Sequence, residues 1–361
     1  MSSSIRTAWI GALCACALLM QGCSTTVAYV ANADSREISV VRLDPAQGNV
    51  EVVQTVAVAG TVMPLAITPD KRFLYASLRS APYTVASFAI DGRTGQLTPI
   101  GSTPLPDNMA NMATDRSGRW LFAASYGGHK FSVAPIGPDG VAGPASTVLP
   151  TGKNAHAAVV DAANKHVFVT NLGSDQVMQF AFDENTGVLA PGNPPVLSSR
   201  AGAGPRHLVF HPSGRYAYLL NELDGSVDLL AYDQARGALS ALKTWSTMPP
   251  GFSGKPWAAD LHVTPDGRFL YTSERTSSTL AMWAIDAANG ELTLIGHEPT
   301  ETQPRGFQID PSGRWLLAVG QLSHALSVYR IDATSGRLTR QASLPVGKNP
   351  NWVEIIDLPG R

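Results

Sequence analysis

One phrase recurs along this chain. An apolar strand runs into a Pro/Asp/Ser-Gly-Arg turn and then into a second, bulkier apolar strand. It reads AITPDKRFLYASL, ATDRSGRWLFAAS, VVDAANKHVFVTN, VFHPSGRYAYLLN, HVTPDGRFLYTSE and QIDPSGRWLLAVG. The basic residues of the phrase, Arg72, Arg119, Lys165, Arg215, Arg268 and Arg314, follow one another at intervals of 46 to 53 residues. A period near 48 falls in the range of propeller blades, about 40–50 residues. Self-similarity at that period limits the chain to an array of equal units, each too small to bury its apolar faces alone.

The unit itself specifies strands. In its clearest copy, Arg206–Phe210 reads as a first strand and His211-Pro212-Ser213-Gly214 as a turn. Tyr216–Leu220, Ser226–Tyr232 and Ala238–Lys243 read as the second, third and fourth strands. Strands apolar on both faces belong between packed layers. The 33 glycines and 26 prolines, with only 15% charged residues, suit a turn-rich all-β chain. No segment after the N-terminus has the 3.6-residue periodicity of an amphipathic helix.

The ends of the chain predict a closed ring. Residues 27–56 match strands two to four of a unit but lack the first, and residues 350–358 (PNWVEIIDL) match a first strand with nothing after it. Together they complete a seventh unit. The expected fold is an all-β, seven-bladed β-propeller of four-stranded blades, closed by N- and C-terminal strands sharing one blade. A ring leaves only short, protected sheet edges.

The first 26 residues stand apart. Ala8–Met20 is an apolar run of 13 residues, short of the roughly 20 that a membrane span needs, and it has the length of a signal-peptide core. Leu19-Met20-Gln21-Gly22-Cys23-Ser24 resembles a bacterial lipobox, in which the cysteine is lipidated and becomes the mature N-terminus. The expected division is a lipoprotein signal peptide over 1–22, a lipidated linker over 23–26 with Cys23 as the modified residue, and a propeller over 27–361. Ser24 is compatible with sorting to the outer membrane, so the expected site is the periplasmic side of a bacterial membrane, reached only through the lipid anchor. The three cysteines, Cys14, Cys16 and Cys23, all precede this point, which excludes disulfides, cysteine-ligated zinc and thiol nucleophiles beyond it. A net charge of −1 argues against a nucleic-acid partner.

Turn and core residues follow the repeat and need no functional explanation. Polar residues that break the repeat at one rim do. Arg206 and His207 open a first strand, as His156 does one unit earlier and Arg305 does in the last full unit. Glu222 (Asn221-Glu222-Leu223) and Arg275 (Glu274-Arg275-Thr276) end second strands. In a propeller these equivalent positions meet around the central channel. Other patterns are absent or weak. Tyr126-Gly127-Gly128-His129 is not a phosphate loop, since no helix follows it, and there is no His-Glu-x-x-His or Gly-x-Ser-x-Gly. The eight histidines lack metal-ligand spacing, so neither metal nor cofactor is expected. The tryptophans after Trp9 read mostly as packing between blades.

The phrases GAGPRHLVFHPSGRYAYLLNELDGSVDLLAYD, PWAADLHVTPDGRFLYTSERT and PTETQPRGFQIDPSGRWLLAVGQLSHALSVYRID resemble the propeller-type bacterial 6-phosphogluconolactonases, over about residues 27–358. The resemblance implies a seven-bladed propeller and metal-free hydrolysis of 6-phospho-glucono-1,5-lactone to 6-phosphogluconate. It extends to a fungal relative, carboxy-cis,cis-muconate cyclase, whose site holds a His, two Arg and a Glu. By motif position these become His156, Arg206, Arg275 and Glu222 here, a catalytic set, with His207 and Arg305 as further substrate contacts. Glu222 or His156 would move the water proton, and the arginines would hold an oxyanion, carboxylate or phosphate. Familiar family members are cytosolic, whereas this chain opens on an export signal, so a non-phosphorylated sugar lactone or another lactone is a further expectation. A cyclase-like lactone-forming enzyme and a non-catalytic ligand- or protein-binding scaffold remain the alternatives. The expected partner is a small-molecule lactone, and the expected state a monomer.

Overall fold

A computed structural model describes residues 25–358. The expected signal segment, Cys23 and Ser24 lie outside the described residues. Twenty-eight strands form seven four-stranded antiparallel sheets, with one turn of 3₁₀ helix at Leu172–Ser174 as the only helix among the described residues. Blade 1 is the split one. Its order is Pro350–Asp357, Thr26–Asn32, Glu37–Leu43, Val50–Ala57, with the C-terminal strand innermost. In blades 2 to 7 the chain enters at the innermost strand and works outward, beginning at Val62, Met109, Ala155, Pro205, Ala258 and Pro304.

The expected strands are found with small shifts. In blade 5 they are Pro205–Phe210, Tyr216–Asn221, Ser226–Asp233 and Ala238–Ser246. The fourth runs three residues past Lys243 because Lys243 to Ser246 continue to pair with Leu229 back to Ser226. The N-terminal strand of blade 1, second in its order, starts at Thr26, inside the expected linker: Thr26 pairs with both Leu43 and Asp357 and donates its hydroxyl to the Asp357 carboxylate at 2.6 Å.

No single core exists. The buried apolar residues fall into seven clusters, one at each interface between neighbouring blades. That explains the doubly apolar strands, since both faces of every blade are covered. A second repeat signal, unused in the sequence reading, locks blade to blade. Six of the third-to-fourth-strand turns read Asp-x-x-x-Gly, ending at Gly48, Gly95, Gly187, Gly237, Gly290 and Gly336, all with φ between +62° and +75°. A side chain there would be strained in the left-handed region. It would also strike the preceding blade: a Cβ at Gly187 would sit 2.5 Å from Trp120, and one at Gly48 would sit 2.4 Å from Trp315. The buried tyrosines of the second strands reach the same turns, with Tyr218 donating to the Gly290 carbonyl and Tyr271 to the Gly336 carbonyl, both at 2.8 Å.

The last strand carries the closure. Val353, Ile355, Ile356 and Leu358 are buried in the interfaces on both sides of blade 1. At about 1.5–3 kcal/mol for each buried aliphatic side chain, their sum is comparable to the whole stability of an ordinary domain. Deleting residues 350–361 is expected to abolish the cooperative thermal transition followed by circular dichroism. A truncated chain with an unchanged melt would contradict closure by this strand.

Candidate active site

One irregularity is common to all seven innermost strands. After the first residue each carries a bulge or irregularity that leaves one residue, or two in the strands beginning at Val62, Ala258 and Pro304, without a partner in the register. The equivalent positions in chain order are Met63, Ala110, His156, Arg206, Ala259, Arg305 and Asn351. A bulge re-aims the side chain it carries, and here it turns these residues towards the axis at one rim. A second ring of equivalent positions follows the last residue of each second strand: Ala33, Arg79, Tyr126, Leu172, Glu222, Arg275 and Gln321. In most positions these rings hold small or neutral residues. The charged ones are Arg79 in blade 2 and Arg206, Glu222, Arg275 and Arg305 in blades 5 to 7, with His156 beside them in blade 4.

The two rings interlock at Glu222. Arg206 Nε donates to Glu222 Oε2 at 2.9 Å, and Arg275 Nη2 donates to the same oxygen at 2.7 Å. Arg275 is held further by bonds from Nε to the Trp257 carbonyl and from Nη2 to the Ala258 carbonyl, both 3.0 Å, and its guanidinium lies 3.9 Å from the Trp257 ring centre. Arg206 is 1% exposed and also donates to the Ala259 carbonyl. Arg305 brings a third guanidinium, whose buried Nε has no partner. His156 is buried, with its ring 5.1 Å from His207 and 6.0 Å from Tyr126, and its Nδ1 is also unpartnered.

Two buried guanidiniums thus bind one carboxylate, and the half-buried guanidinium of Arg305 adds a third positive charge that acts on it. Burial pushes the Glu222 carboxyl up, but Arg206, Arg275 and Arg305 outweigh it and hold its pKa below the usual carboxylate value. Burial and the neighbouring Arg206 bring Arg275 down to about 10, and burial with the other arginines pushes Arg305 well below its ordinary value. Burial and the same cations hold His156 well below the ordinary histidine range, so it is neutral at pH 7. The site carries an excess of positive charge, with one neutral imidazole in its wall, an arrangement that favours an anion chemically.

Beneath the rim the axis opens into a cavity of about 140 Å³, walled by six of the seven innermost strands. His207 lies between the two levels. Asp260 Oδ1 is 2.8 Å from His207 Nδ1, and a carboxylate only accepts, so Nδ1 carries the proton and Nε2 accepts from Arg206 at 3.1 Å. Burial and Arg206 depress the His207 pKa to about 4 against the pull of Asp260. Asp260 also faces His262 at 3.3 Å. Among the described residues no group of three or more His, Cys, Asp or Glu is arranged to hold a metal ion.

A profile described as lactonase, 7-bladed beta-propeller matches residues 21–355. The chain belongs to the seven-bladed propeller lactonase family. It is 43% identical over 332 residues to the 6-phosphogluconolactonase of Pectobacterium carotovorum subsp. carotovorum, covering 92% of this chain and 99% of that one. It is 42% identical over 330 residues to the 6-phosphogluconolactonase of Serratia proteamaculans, covering 91% and 98%. Among solved structures it superposes on the periplasmic gluconolactonase of Pseudomonas aeruginosa with a TM-score of 0.86 at 29% identity, covering 93% of this chain and all of the other.

All six residues singled out in the sequence, His156, Arg206, Glu222, Arg275, His207 and Arg305, lie at this one rim of the lactonase-family fold. Their surroundings differ from expectation in one respect: both ring nitrogens of His207 are spent inside the protein, on Asp260 and Arg206. The sequence reading passed over Arg79 and Tyr126, which occupy the same repeat positions as Glu222 and Arg275 and were open to the same test. Asp260, inside the bulge of its strand, carried no role in that reading, and the tryptophans read mostly as blade packing. Trp120 and Trp315 fit that role, donating to the Glu184 and Pro45 carbonyls of the next blade. Trp257 instead covers Arg275, and Trp352 lines the axial cavity.

Arg305 is half-buried and its Nε is shut from water without a partner, which opposes folding. Replacing Arg305 by Met should therefore leave the melting temperature unchanged or raise it by calorimetry, while ligand affinity at the rim falls. A drop of several degrees would mean that Arg305 has a structural partner.

Proposed function

We propose that the protein hydrolyses a sugar 1,5-lactone at this rim, with 6-phospho-glucono-1,5-lactone or its non-phosphorylated counterpart as substrate. The names of its family relatives support the reaction class. The arrangement that carries it is the excess of buried guanidiniums around Glu222, with donor capacity on Arg305 and an unpartnered nitrogen on His156. Buried cation excess opposes stability, which a pure scaffold has no reason to keep.

The roles follow from the electrostatics. Hydrolysis needs a water to attack the lactone carbonyl and a cation for the oxygen that becomes negative. His156, neutral and unpartnered at Nδ1, accepts the water proton as the oxygen–carbon bond forms. Arg206, Arg275 and Arg305 stabilise the oxyanion. The tetrahedral intermediate then collapses, the bond from carbonyl carbon to ring oxygen breaks, and His156 returns its proton to that oxygen. The product is the open-chain hydroxy acid, whose carboxyl proton goes to solvent. Glu222 is a poor proton acceptor because two arginines hold it ionised. Its work is to fix both guanidiniums in place. Asp260 and His207 do the same for Arg206 from below.

Arg206→Ala is expected to lower turnover of gluconolactone about 10²–10³-fold, the usual cost of an oxyanion donor. The rate must be corrected for spontaneous opening, and the melt checked by circular dichroism. An unchanged rate would remove Arg206 from the mechanism. His156 must be unprotonated to act, and its pKa is depressed. The corrected kcat/KM should therefore stay flat from pH 8 down past 6.5 and fall only below that. An acid limb centred at 6.5 or higher would exclude His156 as the base.

We further propose that the chain is exported and anchored by a lipid on Cys23, with Ser24 directing it to the outer membrane. The lipobox-like residues 19–24 support this, and the periplasmic relative is consistent with export. Cys23→Ser should move the protein from the membrane fraction and end metabolic labelling by palmitate. Unchanged fractionation would exclude the anchor.

A further inference from the structure

Seven connections cross the catalytic rim, each joining the outermost strand of one blade to the innermost strand of the next. Five have four residues and one has six, whereas the connection between blades 5 and 6, residues 247–257, has eleven. This insertion accounts for the widest interval in the repeat. Connections of two to five or six residues suffice to join such strands, and longer ones in compact domains are commonly functional. The insertion is anchored at both ends. The Thr247 amide and hydroxyl donate to the Gly225 carbonyl at 2.8 Å, and the Thr247 carbonyl lies 3.0 Å from His297 Nε2. Met248 and Pro256 close on Gly225, where a Cβ would meet them at 2.7 and 2.9 Å. Between these anchors Phe252 turns back over Gly254, which has no room for a side chain beneath that ring.

The insertion builds a wall onto the site. It encloses a cavity of about 260 Å³ lined by Glu222, Leu223, Lys255, Pro256, Trp257 and Thr276. Glu222 lines this cavity and also binds Arg206 and Arg275, so the cavity adjoins the guanidinium cluster. Trp257 is 39% exposed: Arg275 is held against its ring, and much of the rest stays open. Lys255 is exposed, and no carboxylate lies within ion-pair distance of it among the described residues. A largely apolar cleft with an aromatic ring and one free cation matches a molecule with a carbon face and a terminal anion.

We propose that the 247–257 insertion forms a specificity subsite for the exocyclic end of the lactone, with Trp257 against the sugar's carbon face and Lys255 on a terminal anionic group, phosphate or carboxylate. This assignment rests on the lactonase reading and adds to it the residue that distinguishes anionic from neutral substrates. Lys255 touches none of the groups that act on the carbonyl, so its contribution is confined to binding. An exposed charge pair of this kind is screened by salt.

The test compares Lys255→Ala and Lys255→Glu with the unaltered protein on two probes, glucono-1,5-lactone and 6-phospho-glucono-1,5-lactone. Lys255→Ala should raise KM for the phosphorylated lactone about tenfold with kcat unchanged, and Lys255→Glu should raise it further. Neither variant should alter KM or kcat for the neutral lactone. In the unaltered protein, raising the salt from 0.05 to 0.5 M should erode the preference for the phosphorylated lactone and leave the neutral one unaffected. Equal effects of the variants on both lactones, or none on either while both are hydrolysed, would overturn the subsite and leave the lactonase reading standing. Hydrolysis of neither lactone by the unaltered protein would overturn the lactonase reading and the subsite with it.

Discussion

Everything at the rim depends on the pairing of Thr26–Asn32 with Pro350–Asp357, strands separated by almost the whole length of the chain. Seven twisted sheets stacked face to face have two bare faces unless the last meets the first. Here they meet through a strand taken from the far end, and seven apolar interfaces replace one core. The closure brings the seven innermost strands side by side around an axis, all running the same way. Only then do seven bulges, each a local defect in one sheet, point to a common place.

That common place is electrostatically costly. Arg206, Arg275 and Arg305 repel one another in a region poor in water, and Glu222 offsets only part of the repulsion. The protein tolerates this because Arg206 and Arg275 are held by neutral acceptors, the Trp257, Ala258 and Ala259 carbonyls and His207 Nε2, which are themselves fixed by the blades. The same arrangement that raises the energy of the empty site lowers the energy of any anion formed or bound within it. Preorganised dipoles and cations need little rearrangement when negative charge appears on a lactone oxygen. A base that survives among these cations must be neutral, which suits His156 and not the ionised Glu222.

The parts that could be read from the chain were those repeated in it. Six copies of one phrase give six chances to see strand periodicity and turn residues, and make the missing first strand of blade 1 visible. Residues that break the repeat, such as Arg206 where Met63, Ala110 and Ala259 hold equivalent positions, stood out for the same reason. Arg79 and Tyr126 fit this test and were missed because the comparison was confined to consecutive units. Trp257 and Lys255 were of another kind. They lie in the 247–257 insertion, which has no counterpart in the other blades, so no alignment of repeats gives it a place.

By itself, the sequence determined the number of blades, the strands within each, the way the ring closes and the rim at which the unusual charges gather, because each of these follows from local periodicity and short turns. The tertiary structure alone decided who pairs with whom there: that Glu222 binds two arginines from different blades, that Asp260 sets the tautomer of His207, and that Arg305 and His156 keep a nitrogen free. Those contacts span 16 to 53 residues of chain and depend on the angle between adjacent blades and on the direction each bulge imposes. Such angles arise from packing across seven interfaces, and no window of residues contains them.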